Sequence, residues 1–229
     1  MTNFMSNSIF FGAALSLIAY EVGLLLKRKF KMAIFNPLLI SIIAVIAVLC
    51  LLHIDYDTYN QSGQYISYLL TPATVCLAVP LYQQMELLKK NLKAVVIGIV
   101  SGVLASLVSV LILARLFRLS HEQYVTLLPK SITTAIGMGV SEELGGIVTI
   151  TVAVIIITGV LGNMVAETVI KLAHIEEPIA KGLALGTSSH AIGTAKAMEL
   201  GEIEGAMSSL AIAVAGLLTV VGASVFKSE

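Results

Sequence analysis

The chain has 229 residues, 57% hydrophobic and only 12% charged, with 14 basic and 14 acidic side chains, no net charge and no tryptophan. An average soluble domain carries about 25% charged residues. Charge this sparse excludes a disordered chain, a nucleic-acid binder working through a basic patch, and a water-soluble enzyme, because it cannot cover the surface of a globule of this size. With a mean hydropathy of +0.95, the chain reads as an all-α, polytopic integral membrane protein whose solvent is the lipid bilayer.

A helix needs roughly 20 apolar residues to cross about 30 Å of hydrocarbon. Six uncharged runs reach that length: 1–20, 33–54, 58–85, 94–114, 144–166 and 205–226. They are long and apolar on every side, unlike the short alternating strands of a β-barrel. Two further stretches, 123–141 and 182–195, are shorter and rich in Ser, Thr and Gly. They are too polar to face lipid and too apolar for ordinary loops. The two cysteines, Cys50 and Cys76, fall in apolar runs with no metal spacing and are expected to be buried packing residues.

The charges that remain set the sidedness. No basic residue precedes the first run, and Lys27, Arg28, Lys29 and Lys31 follow it, the reverse of a secretory signal. The first span is therefore expected to be retained, with its basic end cytoplasmic and the N-terminus extracytoplasmic. Lys89, Lys90 and Lys93 come two spans later and fall on the same side, while Arg115 and Arg118 are an external exception. A single transmembrane domain over 1–229 is expected, with N-terminal spans in 1–122.

The rest of the chain repeats itself. Residues 135–147 read AIGMGVSEELGGI and residues 191–203 read AIGTAKAMELGEI, an offset of 56 with identities at Ala135/Ala191, Ile136/Ile192, Gly137/Gly193, Glu143/Glu199, Leu144/Leu200, Gly145/Gly201 and Ile147/Ile203. Hydroxyls precede each copy, Ser131, Thr133 and Thr134 in one and Thr187, Ser188 and Ser189 in the other, and a long span follows each. A looser echo runs from Thr71-Pro72-Ala73-Thr74 through Pro80 to the span 94–114. The repeat units are drawn as 123–178 and 179–229. If 123–141 and 182–195 both cross, the chain has eight spans and parallel copies. If both dip in and return, it has six spans and inverted copies whose polar tips can meet at the midplane. Short, interrupted segments at matching positions of a repeat point to a carrier's binding site, and unwound backbone in a membrane must be satisfied by protein, water or ligand.

Each candidate residue has a functional and a plainer reading. His190, between hydroxyls and small residues, is either a substrate or proton contact or a hydrogen-bonded packing residue. Ser131, Thr133, Thr134, Thr187, Ser188, Ser189 and Thr194 are candidates for orienting a substrate without the cost of a buried charge. Lys196 is either the counter-charge for an anion or half of an i,i+3 interfacial pair with Glu199. Glu142, Glu143 and Glu199 are coupling acids or simply solvate a turn. Gly98-x-x-x-Gly102 and Gly182-x-x-x-Gly186 read as helix-packing positions. No nucleophile–base pair or metal-ligand set accompanies these residues, so no enzyme activity, metal or cofactor is expected.

The stretch PIAKGLALGTSSHAIGTAKAMELGEIEGAMSSLA (178–211), with LLPKSITTAIGMGVSEELGGI (127–147) and TPATVCLAVPLY (71–82), resembles the LrgB/CidB family of bacterial membrane proteins over nearly the whole chain. That resemblance implies holin-like or antiholin-like control of murein hydrolase activity and cell death, exerted with a small LrgA/CidA-type membrane partner. It also implies transport, since plastid relatives move glycolate and glycerate and bacterial members are linked to pyruvate. Where the family's pattern has proline, this chain has Ala135, which weakens the expectation of an unwound first copy. Together with the repeat, the resemblance favours a secondary carrier of a small monocarboxylate (pyruvate, lactate or glycolate/glycerate class) in the bacterial plasma membrane, expected to work as a homo-oligomer, a dimer. A holin-like pore or regulator is the rival.

Overall fold

In the computed structural model the described residues are 10–30, 32 and 35–226, and every regular element among them is helical. The chain divides between Cys76 and Leu77 into two units. Both repeat copies lie in the second.

The first unit holds α1 (Phe11–Phe30), α2 (Pro37–Leu52), α3 (Tyr56–Ser67) and α4 (Leu70–Cys76). Two glycines let α1 lie close to its neighbours. A Cβ on Gly12 would run into the Tyr59 carbonyl of α3, and one on Gly23 would stand 2.8 Å from Pro37 Cα of α2. The orphan N–H groups that open every helix are met here by side chains. The buried Ser62 hydroxyl accepts from Gly12 N at 2.7 Å and Ala13 N at 3.2 Å. At α2, Asn36 Oδ1 accepts from Leu38 N at 2.9 Å and Leu39 N at 3.3 Å, ahead of a proline in the first turn.

The second unit holds α5 (Ala78–Gln83), α6 (Met85–Lys90), α7 (Leu92–Leu116), α8 (His121–Leu127), α9 (Thr134–Glu143), α10 (Val148–Leu172), α11 (Pro178–Leu200) and α12 (Glu202–Phe226). Three long helices form the frame. α7 and α12 run in the same direction, and α10 runs against them. At one end of the bundle the Tyr124 hydroxyl of α8 donates to the Phe226 carbonyl of α12 at 3.0 Å, beside the close of α7 at Arg115 and Arg118. At the other end the close of α10, the opening of α11 and the opening of α12 surround a cavity of about 440 Å³ lined by His174, Lys181 and Glu204 among others. The core between is small: Ala206, Met207, Ala211 and Ala215 of α12 face Val95, Ile99, Val103 and Leu107 of α7.

Four stretches are long and apolar enough to cross a membrane: Tyr56–Gln83, Leu92–Leu116, Val148–Leu172 and Glu202–Phe226. With their outward Leu, Ile and Val exposed, they make this a multi-pass helical membrane protein. The expected boundaries shift in three places. The 58–85 run is divided into short helices by turns at Tyr68–Leu69, Leu77 and Gln84. α2 has 16 residues and is about 24 Å long. α1 runs past the expected end of the first run to carry Lys27, Arg28 and Lys29 in its last turn, where cations suit the negative end of the helix dipole. The cysteines correct an expectation: both Cys50 and Cys76 are exposed. A thiol is as compatible with hydrocarbon as with a packed core, so an apolar run does not say which it meets.

Candidate functional site

Each short polar segment is a hairpin that enters and leaves at one end of the bundle, the first at the Arg115 end and the second at the opposite end. The first begins with a capping box at Ser120, whose Oγ accepts from Gln123 N at 3.3 Å while Gln123 Oε1 accepts from Ser120 N at 2.9 Å. α8 ends at Leu127 and the chain is non-helical over 128–133, through Pro129. α9 then runs back, closing with Gly145 at φ 78° and a Gly146 N to Ser141 O bond of 2.7 Å. The return is fixed by hydroxyls. Thr126 Oγ1 of α8 accepts from Ile147 N at 2.8 Å, and Thr151 of α10 donates to the Thr126 carbonyl at 2.8 Å. The start of α10 therefore lies beside α8, so α8 and α9 together do not cross. Ala135 falls in the first turn of α9, after the break, and Pro129 supplies a rigid residue before it.

The second hairpin is α11, broken at Ser189 (φ −132°, ψ 15°) and His190 (φ 43°, ψ −138°). Gly193 lies so close to the Leu185 carbonyl that a Cβ would press on it, which brings the returning arm back along the entering one. Gly182 and Gly186 meet the backbone carbonyls of Glu204 and Ser208 on α12, while Gly98 and Gly102 of α7 accept Leu183 and Thr187 of α11. Both small-residue pairs are helix contacts. α10 contributes two more glycines. Gly162 leaves the space taken by Ser189, and Gly159 the space taken by the His190 ring. His190 Nε2 donates to the Ile155 carbonyl of α10 at 2.9 Å, which in the neutral ring leaves Nδ1 as the acceptor nitrogen. Asn163 Nδ2 donates to the Ile192 carbonyl at 3.0 Å, and Thr194 Oγ1 meets Ser208 Oγ at 2.7 Å. Unwound backbone and its side chains are thus tied to the frame.

The repeat seen in the sequence is structural. Subtracting the offset of 56 from Ser189, at the break, gives Thr133, the N-cap of α9; from Thr187 it gives Ser131. The two copies enter from opposite ends, so they are inverted. Their tips meet on α7. Leu183 packs at Gly98, Thr187 at Gly102, and one turn on Ser106 Oγ donates to Ser131 Oγ at 3.1 Å. Gly102 and Ser106 straddle the middle of the 25-residue α7.

Lys130 also reaches that point, and the sequence reading missed it. Its ammonium donates to Ser131 Oγ at 2.9 Å and Ser106 Oγ at 3.3 Å. A signal was available, since a lysine within a span-like segment is functional by default.

The other candidates are dispersed. Ser188 is exposed and bonds Ser189 at 3.0 Å, and Thr133 and Thr134 are half-buried at the start of α9. Lys196 lies at the far end of its hairpin, where Nζ meets Glu167 Oε1 at 2.6 Å and Glu199 Oε2 at 3.0 Å. Glu143 and Glu199 are repeat equivalents, but Val140 stands where the second copy has Lys196, so the ion pair belongs to one copy. Glu142 and Glu143 are exposed at the end of α9, away from the tips.

Comparison with known proteins identifies the group. The profile of the LrgB-like family matches residues 16–228. The chain belongs to the LrgB-like family. It is 40% identical over 213 residues to the antiholin-like protein LrgB of Bacillus mycoides (strain KBAB4), covering 93% of each chain. The same-named proteins of Bacillus cereus (strain B4264) and Bacillus anthracis (strain CDC 684 / NRRL 3495) are 39% identical with the same coverage. No solved structure matches the chain.

Proposed function

We propose that this LrgB-family chain is a secondary carrier of a small monocarboxylate, of the pyruvate, lactate or glycolate/glycerate class, with its substrate site where the two hairpin tips meet. The observation carrying this reading is the inverted pair of broken, polar hairpins converging on the middle of α7. Inverted repeats with interrupted helices at the midplane are the architecture by which carriers alternate access. Non-helical backbone at that depth makes sense where it lines a cavity or a ligand path. Ser131 and Thr187, with Thr133, Thr134 and Ser188 around them, are the proposed lining. Ser189, His190 and Thr194 hold the second tip on α10 and α12, and the Lys196 cluster holds its returning arm.

Orientation follows from charge. Lys89, Lys90, Lys93, Lys171 and Lys181 gather at one end of the second unit, against Arg115 and Arg118 at the other. The lysine end is cytoplasmic under the positive-inside rule, in a bacterial plasma membrane with the N-terminus extracytoplasmic. The test is reconstitution of the purified chain in proteoliposomes. Saturable uptake of labelled pyruvate, competed by lactate or glycolate and without leakage of a dye several times larger, is expected. Uptake of no carboxylate under any gradient sinks the carrier reading.

The relatives' name, antiholin-like, favours a second reading: a regulator of murein hydrolase activity and lysis that acts with a small LrgA/CidA-type partner. Under it, dye leakage would depend on the partner and on the Gly98 and Gly102 packing face, and would be indifferent to the Thr134 and Ser188 hydroxyls. Dimerisation belongs to the carrier reading, and cross-linking in native membranes tests it.

A further inference from the structure

We propose that Lys130 and Ser131 form the anion-binding element of this chain, holding the single carboxylate of a substrate; this rests on the carrier reading and names the group that fixes its charge. The argument begins with donors. Lys130 Nζ donates to Ser131 Oγ at 2.9 Å and to Ser106 Oγ at 3.3 Å, and Ser106 donates to Ser131 at 3.1 Å. An ammonium has three N–H donors and no acceptor, and a hydroxyl has one donor. Two ammonium donors and the Ser106 proton are used within the trio. The third ammonium proton and the Ser131 O–H remain, side by side, at the tip of the first hairpin.

The charge is uncompensated as well. Among the described residues no ion pair involves Lys130, and both its partners are neutral hydroxyls. The acids of its own hairpin lie at the far ends of its two arms: Glu122 in the first turn of α8, about 12 Å away along the chain, and Glu142 and Glu143 at the close of α9, about 15 Å away along the helix. The other groups of the two hairpins are committed elsewhere. His190 Nε2 donates to Ile155 O, Lys196 pairs with Glu167 and Glu199, and Lys181 lines the cavity at the bundle end. A cation away from bulk water with no carboxylate partner favours binding an anion there. One ammonium matches one carboxylate. A second carboxylate would bring a charge that nothing at the tips offsets, so dicarboxylates are rejected.

Three variants test this. Lys130→Met keeps the length and removes the charge, Lys130→Arg keeps the charge, and Ser131→Ala removes the spare hydroxyl. Each is purified, and its thermal unfolding is followed with sodium pyruvate, formate or gluconate, beside labelled pyruvate uptake in proteoliposomes. Lys130→Met gives up two ammonium hydrogen bonds but relieves an unpaired, desolvated charge, and Ser106 and Ser131 keep their bond to each other, so it should fold, and should unfold within a few degrees of wild type. It should lose pyruvate stabilisation, with KM raised about 100-fold or more. Lys130→Arg should keep uptake with KM within about 10-fold, since charge survives while geometry changes. Wild-type uptake with an unchanged KM in a folded Lys130→Met protein overturns the assignment and leaves the carrier reading standing. If the wild type takes up no carboxylate, that reading fails, and the salts decide the anion site. Stabilisation by pyruvate or formate that is absent in Lys130→Met supports it, and equal responses of the two proteins overturn it. Malate competing as well as lactate overturns the single-carboxylate clause.

Discussion

Gly159→Ala should reverse its effect depending on residue 190. In the native chain a Cβ at position 159 would stand 2.6 Å from His190 Cε1 and 2.7 Å from Nε2, nearly 1 Å inside ordinary van der Waals contact. The ring cannot yield freely, because Nε2 is bonded to the Ile155 carbonyl at 2.9 Å and the residue is buried. Overpacking of this kind costs about 1–3 kcal/mol, and loss of a buried hydrogen bond adds about 1–3 kcal/mol. Replacing glycine within a helix returns about 1 kcal/mol. The net destabilisation is about 1–5 kcal/mol, or roughly 2–20 °C in Tm for a chain of this size. In a His190→Ala background the ring is gone. Of the three atoms nearest the new methyl, Ile192 Cδ1 at 2.9 Å is then the one left, the free end of a flexible side chain. There the same substitution should be neutral or stabilising by up to about 1 kcal/mol. The assay is thermal unfolding of the four proteins in one detergent at one scan rate. If the two effects add within about 0.5 kcal/mol, the His190 ring does not lie on Gly159 and the second hairpin is docked wrongly.

Three further outcomes follow from the same geometry. His190 has φ 43°, a conformation costly for any residue with a Cβ, so His190→Gly should be more stable than His190→Ala by about 1 kcal/mol in the same melts. In a background with Cys50 and Cys76 replaced, single cysteines at Ser120 and Glu143 should label from one side of the membrane. Cysteines at Glu176 and Glu202 should both label from the other. Opposite labelling within either pair restores the eight-span arrangement. Lys196→Met should cost only about 1 kcal/mol, because Glu167 and Glu199, with side chains 48% and 53% exposed, remain solvated after the loss; a loss of 3 kcal/mol or more would show that the cluster is sealed from water.

The sequence alone determined the solvent of this protein. Sparse charge and long apolar runs admit only helices in a bilayer, because every backbone group must be satisfied within its own segment. It also determined the repeat, since identities at a fixed offset survive whatever the fold does with them, and the equivalence of Ser131 with Thr187 was already present in the spacing. It left the span count open because dipping and crossing segments need the same residues: small, hydroxylated and short. Only contacts distant in sequence decide between them, Thr126 with Ile147 in one copy and Gly182 with the Glu204 carbonyl in the other. Lys130 and Lys196 show the same division. Both are lysines in hydroxyl-rich segments, and local sequence offered Lys196 either as an anion's partner or as half of an ion pair with Glu199. Tertiary structure gives Lys196 two carboxylates, one of them from α10, and gives Lys130 only hydroxyls on α7 and its own hairpin. A charge's role depends on what the rest of the chain brings within about 4 Å of it, and that is set by packing.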